Sequence, residues 1–163
     1  MRFLKLGLIS IVVLFLLATA ISFMFPSKVV VSRAVTISAP ADSVLALVKN
    51  LDGWQVWIEG MKDSSVKIIS PLKGTLGTTE VTITEITPAF VNSEWLNKSG
   101  KKLVATFHFI PDSLHTATVV QWQFEQNLKW YPWEKFGSLM SDKILGTMME
   151  KNLNNLKSTL EKH

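Results

Sequence analysis

Residues 133–160, "WEKFGSLMSDKILGTMMEKNLNNLKSTL", carry the reading on which the fold depends. Phe136, Met140, Ile144, Met148 or Met149, Leu153, Leu156 and Leu160 recur at steps of three and four, while Lys143, Glu150, Lys151, Asn154, Asn155 and Lys157 fall on the other side. That is the stripe of an amphipathic helix, opened by Pro132 and Glu134 and running from about 133 to 161. At 1.5 Å per residue it would be about 43 Å long. Burying such a stripe requires an extended apolar surface, and the preceding sequence offers one.

That surface is a series of strands. "KVVVSRAVTIS" (28–38) alternates, with Val29, Val31, Arg33, Val35 and Ile37 sharing a face. "SVKIIS" (65–70) leads into a turn, "PLKGTLG", and then "TTEVTITEI" (78–86), with Val81, Ile83 and, by parity, Glu85 on one side. "AFVNSEWLN" (89–97), "KLVATFHFI" (102–110) and "TATVVQWQFEQ" (116–126) follow. The connections are too short for crossover helices, so the strands are expected to pair antiparallel. Between the first and second strands lie two short helices. Pro40 opens the first, with Ser38 as its cap, and Gly53 separates it from the second, which carries Trp54 and Trp57 and is closed by Gly60.

This order describes an α+β helix-grip fold. A curved antiparallel β-sheet wraps around a long C-terminal helix, with two short helices after the first strand. Sheet and crossing helix leave space between them, and the residues available to line it are Trp54, Trp57, Trp95, Phe107, Phe109, Trp122, Phe124, Met140, Ile144 and Met148. Gly146 is expected to make room for a ligand. Arg33 and Glu85 are candidate polar groups, able to pair or to hold the polar end of a guest. The structural alternative is that the tryptophans simply fill the core.

Residues 6–25, "LGLISIVVLFLLATAISFMF", contain no charge and are long enough to span a bilayer. They define a transmembrane anchor or signal segment at 1–26, separate from a domain at 27–163. Ala18-Thr19-Ala20 resembles a signal-cleavage site, but the apolar run continues beyond it. Arg2 and Lys5 favour an N-terminus kept in the cytoplasm and a domain outside it.

The formal net charge of +4, two of it from Arg2 and Lys5, is no nucleic-acid footprint. Three histidines and no cysteine make no zinc site, and no phosphate loop or nucleophile elbow is present. No cofactor is expected. Catalysis would need an acid or base in the pocket, for which Glu80, Glu85, Glu94, His108 and His115 are candidates. His108 has the opposite parity to Phe107 and Phe109 and is expected to face out. His115 is expected in a turn.

Four stretches carry a resemblance. "ISAPADSVLALVKNLDGWQVW", "TITEITP", "ATVVQWQFE" and "FGSLMSDKILGTMMEKNLNNLK" resemble the START-like (SRPBCC) superfamily, in its polyketide cyclase/dehydrase-like branch. The likeness spans about residues 28–160 and implies the helix-grip fold. It also implies an apolar or amphipathic ligand such as a lipid, sterol or polyketide, without transferring any catalytic residue. Three readings stay open: a membrane-tethered module that binds a hydrophobic small molecule or lipid without turnover, a cyclase or dehydratase, or a structural or partner-binding domain with no ligand. The residues leave oligomeric state undetermined.

Overall fold

The computed structural model describes residues 2–24, 26–138 and 141–162. An apolar helix, α1 (Arg2–Ser22), precedes β1 (Lys28–Ile37), α2 (Ala41–Val48) and α3 (Leu51–Trp57). Six strands follow: β2 (Val66–Ser70), β3 (Lys73–Leu76), β4 (Thr79–Ile86), β5 (Phe90–Asn97), β6 (Lys102–Pro111) and β7 (Thr118–Asn127). The chain then forms α4 (Pro132–Ser138) and α5 (Ser141–Leu160). The seven strands form one antiparallel sheet in the order β1-β7-β6-β5-β4-β3-β2. The first strand therefore pairs with the last, and the remainder are successive hairpins.

Alternation decides which face is buried. Val31, Ile37, Val81, Val91, Ala105, Phe107, Phe109, Val120, Trp122 and Phe124 point inward and are buried, against Leu51, Trp54 and Trp57 from the helix pair and Met149, Leu153 and Leu156 from α5. α5 lies against β1 and α3. Polar contacts hold it there. Asn152 Oδ1 accepts from the Glu59 backbone N–H at 2.8 Å, and Asn155 Nδ2 donates to the Trp57 carbonyl at 3.2 Å.

Several expectations are corrected. The turn "PLKGTLG" contains β3, which pairs with both β2 and β4. Gly74 in it is buried where a Cβ would press on Leu51 Cδ1 and the Lys67 carbonyl, each at 3.0 Å. The terminal helical region is described over Pro132–Ser138 and Ser141–Leu160, and Met140, named as a lining residue, lies outside the described residues. Ser38 does not cap α2. Pro40 occupies that position without a side-chain hydrogen bond, and the Ser38 backbone N–H donates to Glu161. Gly53 is not the break between α2 and α3. Asn50 caps α3 by accepting from the Gly53 N–H at 2.6 Å, and Gly53 is required because a Cβ there would strike the Leu47 carbonyl.

Candidate functional site

Inside the grip, six rings pack on one another. Trp54 stacks on Trp95 at 5.9 Å and meets Trp57 edge-on at 6.4 Å. Phe107 stacks on Trp122 at 4.8 Å, and Phe124 contacts both Trp122, at 5.3 Å, and Trp95, at 5.4 Å. The centre expected to be a cavity is thus filled by the side chains expected to line it. Trp54, Trp57, Phe107 and Trp122 are fully buried. The local fold explains the first two. The corner between α2 and α3 leaves two carbonyls turned inward, Val48 accepting from Trp54 Nε1 at 2.7 Å and Leu47 from Trp57 Nε1 at 3.2 Å.

Packing is uneven along the strands. At the end remote from α1, Ile37, Val91, Phe109 and Thr118 are sealed. At the end nearest α1, the inward-facing Val29, Trp95 and Leu103 are only partly buried, as are Leu145 and Met148 of α5. Two donors among these apolar groups lack partners. Trp122 Nε1 and Gln126 Nε2 are buried with no hydrogen-bond acceptor among the described residues. Gln126 shares the parity of Trp122 and Phe124 on β7 and pairs across from Val29, which places it inward at the looser end. Sequence reasoning passed over Gln126, although its parity was available.

Arg33 faces inward as parity required, but its partners come from α5. Its Nε donates to Glu150 Oε1 at 2.6 Å, and Nη1 and Nη2 donate to Asp142 at 3.1 and 3.4 Å. Hydrogen bonds to Asp142 and then Glu150 raise its pKa above the ordinary arginine value. Its guanidinium occupies the space over Gly146, where a Cβ would collide with it. The missing side chain at 146 therefore admits Arg33 rather than a ligand.

Glu85 lies on the opposite face from Arg33. The β4–β5 register shifts between Ile83 and Glu85, and this bulge turns Glu85 outward, where its Oε2 accepts from Asn92 Nδ2 at 2.9 Å. Ile144 is 66% exposed. At about 100° per residue it sits about 140° round α5 from Met149, so the buried stripe runs through Leu145 instead.

The remaining acid–base candidates also lie outside the grip. Glu80 pairs with Lys73 and Glu94 with Lys102, both from the outer face. His108 faces outward beside the Phe90 ring, and exposed His115 sits in the β6–β7 loop. No group of three or more potential metal ligands occurs among the described residues. A separate cleft of about 550 Å³ opens on the outer face near α4, bounded by Lys101, Lys102, Val104, Glu125, Lys129 and Glu134 among others.

Comparison with solved structures agrees with this architecture. A START superfamily protein from Mycobacterium smegmatis superposes with a TM-score of 0.63 at 16% identity, covering 82% of this chain and 97% of its own. Truncated norcoclaurine synthase from Thalictrum flavum gives 0.64 at 11%, covering 83% and 95%. A structural-genomics protein from Nitrosospira multiformis gives 0.62 at 14%, covering 82% and 97%. At these identities the likeness concerns the fold. No curated protein is significantly similar in sequence. The family described as polyketide cyclase / dehydrase and lipid transport matches residues 28–161, the whole of the sheet and its helices, and the chain belongs to that family.

Proposed function

We propose that this protein binds a hydrophobic small molecule or lipid while tethered to a membrane, without converting it. α1 is the tether: residues Phe3–Ser22 are long and apolar enough to cross a bilayer and their apolar 18-residue window holds no buried residue, a description that a signal sequence also meets. The charge bias of Arg2 and Lys5 over Lys28 and Arg33 supports an N-terminus in the cytoplasm and the domain, residues 27–163, on the other side. The ligand sits at the looser end of the grip against Trp95, Phe124 and Met148. Trp54, Trp57, Phe107, Phe109 and Trp122 form the packed floor beneath it.

One observation carries this reading: the unpartnered donors Trp122 Nε1 and Gln126 Nε2 in an apolar setting. Burying a donor without an acceptor costs about 1–3 kcal/mol, which a ligand oxygen would offset. The ligand is therefore amphipathic, largely hydrocarbon with at least one carbonyl, hydroxyl or ester oxygen. The cyclase alternative draws on the family's description but lacks an inward carboxylate or histidine among the candidates named above.

The full-length chain, extracted with its surrounding lipid in polymer-bounded discs, tests this by mass spectrometry of the extract against bulk membrane. One ligand class should be enriched, and Gln126→Leu should lower that enrichment about five-fold, corresponding to a lost hydrogen bond of about 1 kcal/mol. Identical lipid profiles for the native chain, the variant and bulk membrane would exclude the proposal. Conversion of a recovered ligand by the purified chain would replace it with the enzyme reading.

A further inference from the structure

Four of the six tryptophans belong to the ring cluster; the other two, Trp130 and Trp133, do not. They are 53% and 62% exposed and flank Tyr131, which stacks on Trp133 at 4.9 Å with ring planes 8° apart and lies 4.8 Å from Trp130. Core packing does not account for two exposed indoles in four residues. Their position does. Ser22, the last residue of α1, is buried and its hydroxyl donates to the Trp130 carbonyl at 3.3 Å, and α1 packs against α4. The Leu128 N–H donates to the Ser27 carbonyl at 2.7 Å, so the chain leaving β7 is pinned beside the chain entering β1. Phe23 and Met24, 70% and 85% exposed, stand at the same corner.

We infer that Trp130, Tyr131 and Trp133 seat in the lipid headgroup layer beside α1, fixing the domain on the bilayer with the looser end of its grip turned toward the membrane. The inference rests on α1 lying in the bilayer. Indole and phenol rings combine an apolar body with a polar tip and concentrate at that depth. Of the lysines at this end, Lys28 is paired with Glu125 and Lys102 with Glu94, each at 2.6 Å, while Lys101 and Lys129 line the neighbouring cleft and add attraction for anionic headgroups to the seating by rings. Seating by aromatic rings also gives an apolar ligand a path from acyl chains to Trp95 and Gln126 that avoids bulk water.

The sequence makes the test clean, because α1 contains no tryptophan and its burial in lipid adds no signal. The full-length chain is reconstituted in phosphatidylcholine vesicles brominated either just below the headgroup or near the acyl-chain ends, and flotation is scored in parallel. Shallow bromine should quench up to about a third of the tryptophan emission, two of six residues, and deep bromine less. The double variant Trp130→Phe, Trp133→Phe should still float and lose that quenching. A chain that floats but is not quenched, as when a second copy or another protein covers the corner, overturns the inference and leaves the tether standing. Quenching that survives the double substitution, or is stronger with deep bromine, also overturns it. A chain that fails to float removes the tether and this inference with it.

Discussion

Trp54 and Trp122 bury equivalent rings in one core and differ at a single atom. Trp54 Nε1 reaches the Val48 carbonyl, whereas Trp122 Nε1 reaches nothing among the described residues. Replacing either with phenylalanine removes a similar volume, so the cavity costs nearly cancel in the comparison. Trp54→Phe also breaks a buried hydrogen bond, while Trp122→Phe removes a donor that had none. Trp54→Phe is therefore expected to cost about 1 kcal/mol more, measured as urea midpoints at unchanged slope. Equal costs would mean that Trp122 has an acceptor in solution. The sequence announced the burial of both, because tryptophans among apolar residues at strand or helix spacing seek the core. It did not announce where their N–H groups end, since the inward carbonyls of Leu47 and Val48 exist only once α2 and α3 have folded into a corner. Glu85 fails to follow strand parity for a similar reason: a one-residue bulge reverses every facing beyond it and leaves no compositional mark.

Among the elements, α5 illustrates how much periodicity conveys. Its existence and burial were readable from Leu153, Leu156 and Leu160. Its phase at Ile144 was not, because steps of four and of three back from Met148 lead equally to Ile144 and Leu145, and only packing distinguishes them. β3 escaped for want of pattern, "KGTL" having neither alternation nor β-branched enrichment. The far end of α5 is fastened by Glu161, which accepts from the Ser38 backbone N–H at 2.8 Å. That bond holds its carboxyl below the ordinary glutamate value of 4.5. Asp112 is lowered likewise by the Ala117 N–H, and Glu125 by Lys28. Each binds its proton more weakly in the folded chain than in the unfolded one. Their contribution is accordingly complete above the unfolded value and lost as pH falls through the lower folded values. Thermal midpoints should drop on acidification through the carboxylate range, and Glu161→Gln should flatten that slope while lowering the midpoint at neutral pH. An unchanged slope would show the Ser38 contact to be absent in solution.

For the whole molecule, the order of elements was sufficient for the architecture even with β3 missed: six antiparallel strands, an interposed helix pair and a closing amphipathic helix pack in few ways. The site was legible only in outline. Six of the rings named from sequence do meet, yet they meet one another, and partial burial is left to Val29, Trp95 and Leu103 at the end of the sheet nearest α1. With α1 in a bilayer, the connection through residues 23–27 acquires a further consequence. Those five residues span at most about 18 Å when fully stretched, and the Ser22 and Ser27 contacts shorten the leash. Such a domain cannot ferry cargo through water between separate compartments. In an assay with donor and acceptor vesicles, the full-length protein in the donor should leave the exchange rate of a fluorescent lipid near the protein-free value until the two populations are brought into contact. Exchange that proceeds at a distance would require the chain to come off its membrane. Residence beside one bilayer instead keeps the domain at high local concentration over that membrane, suited to presenting a molecule to a neighbour embedded in the same sheet of lipid.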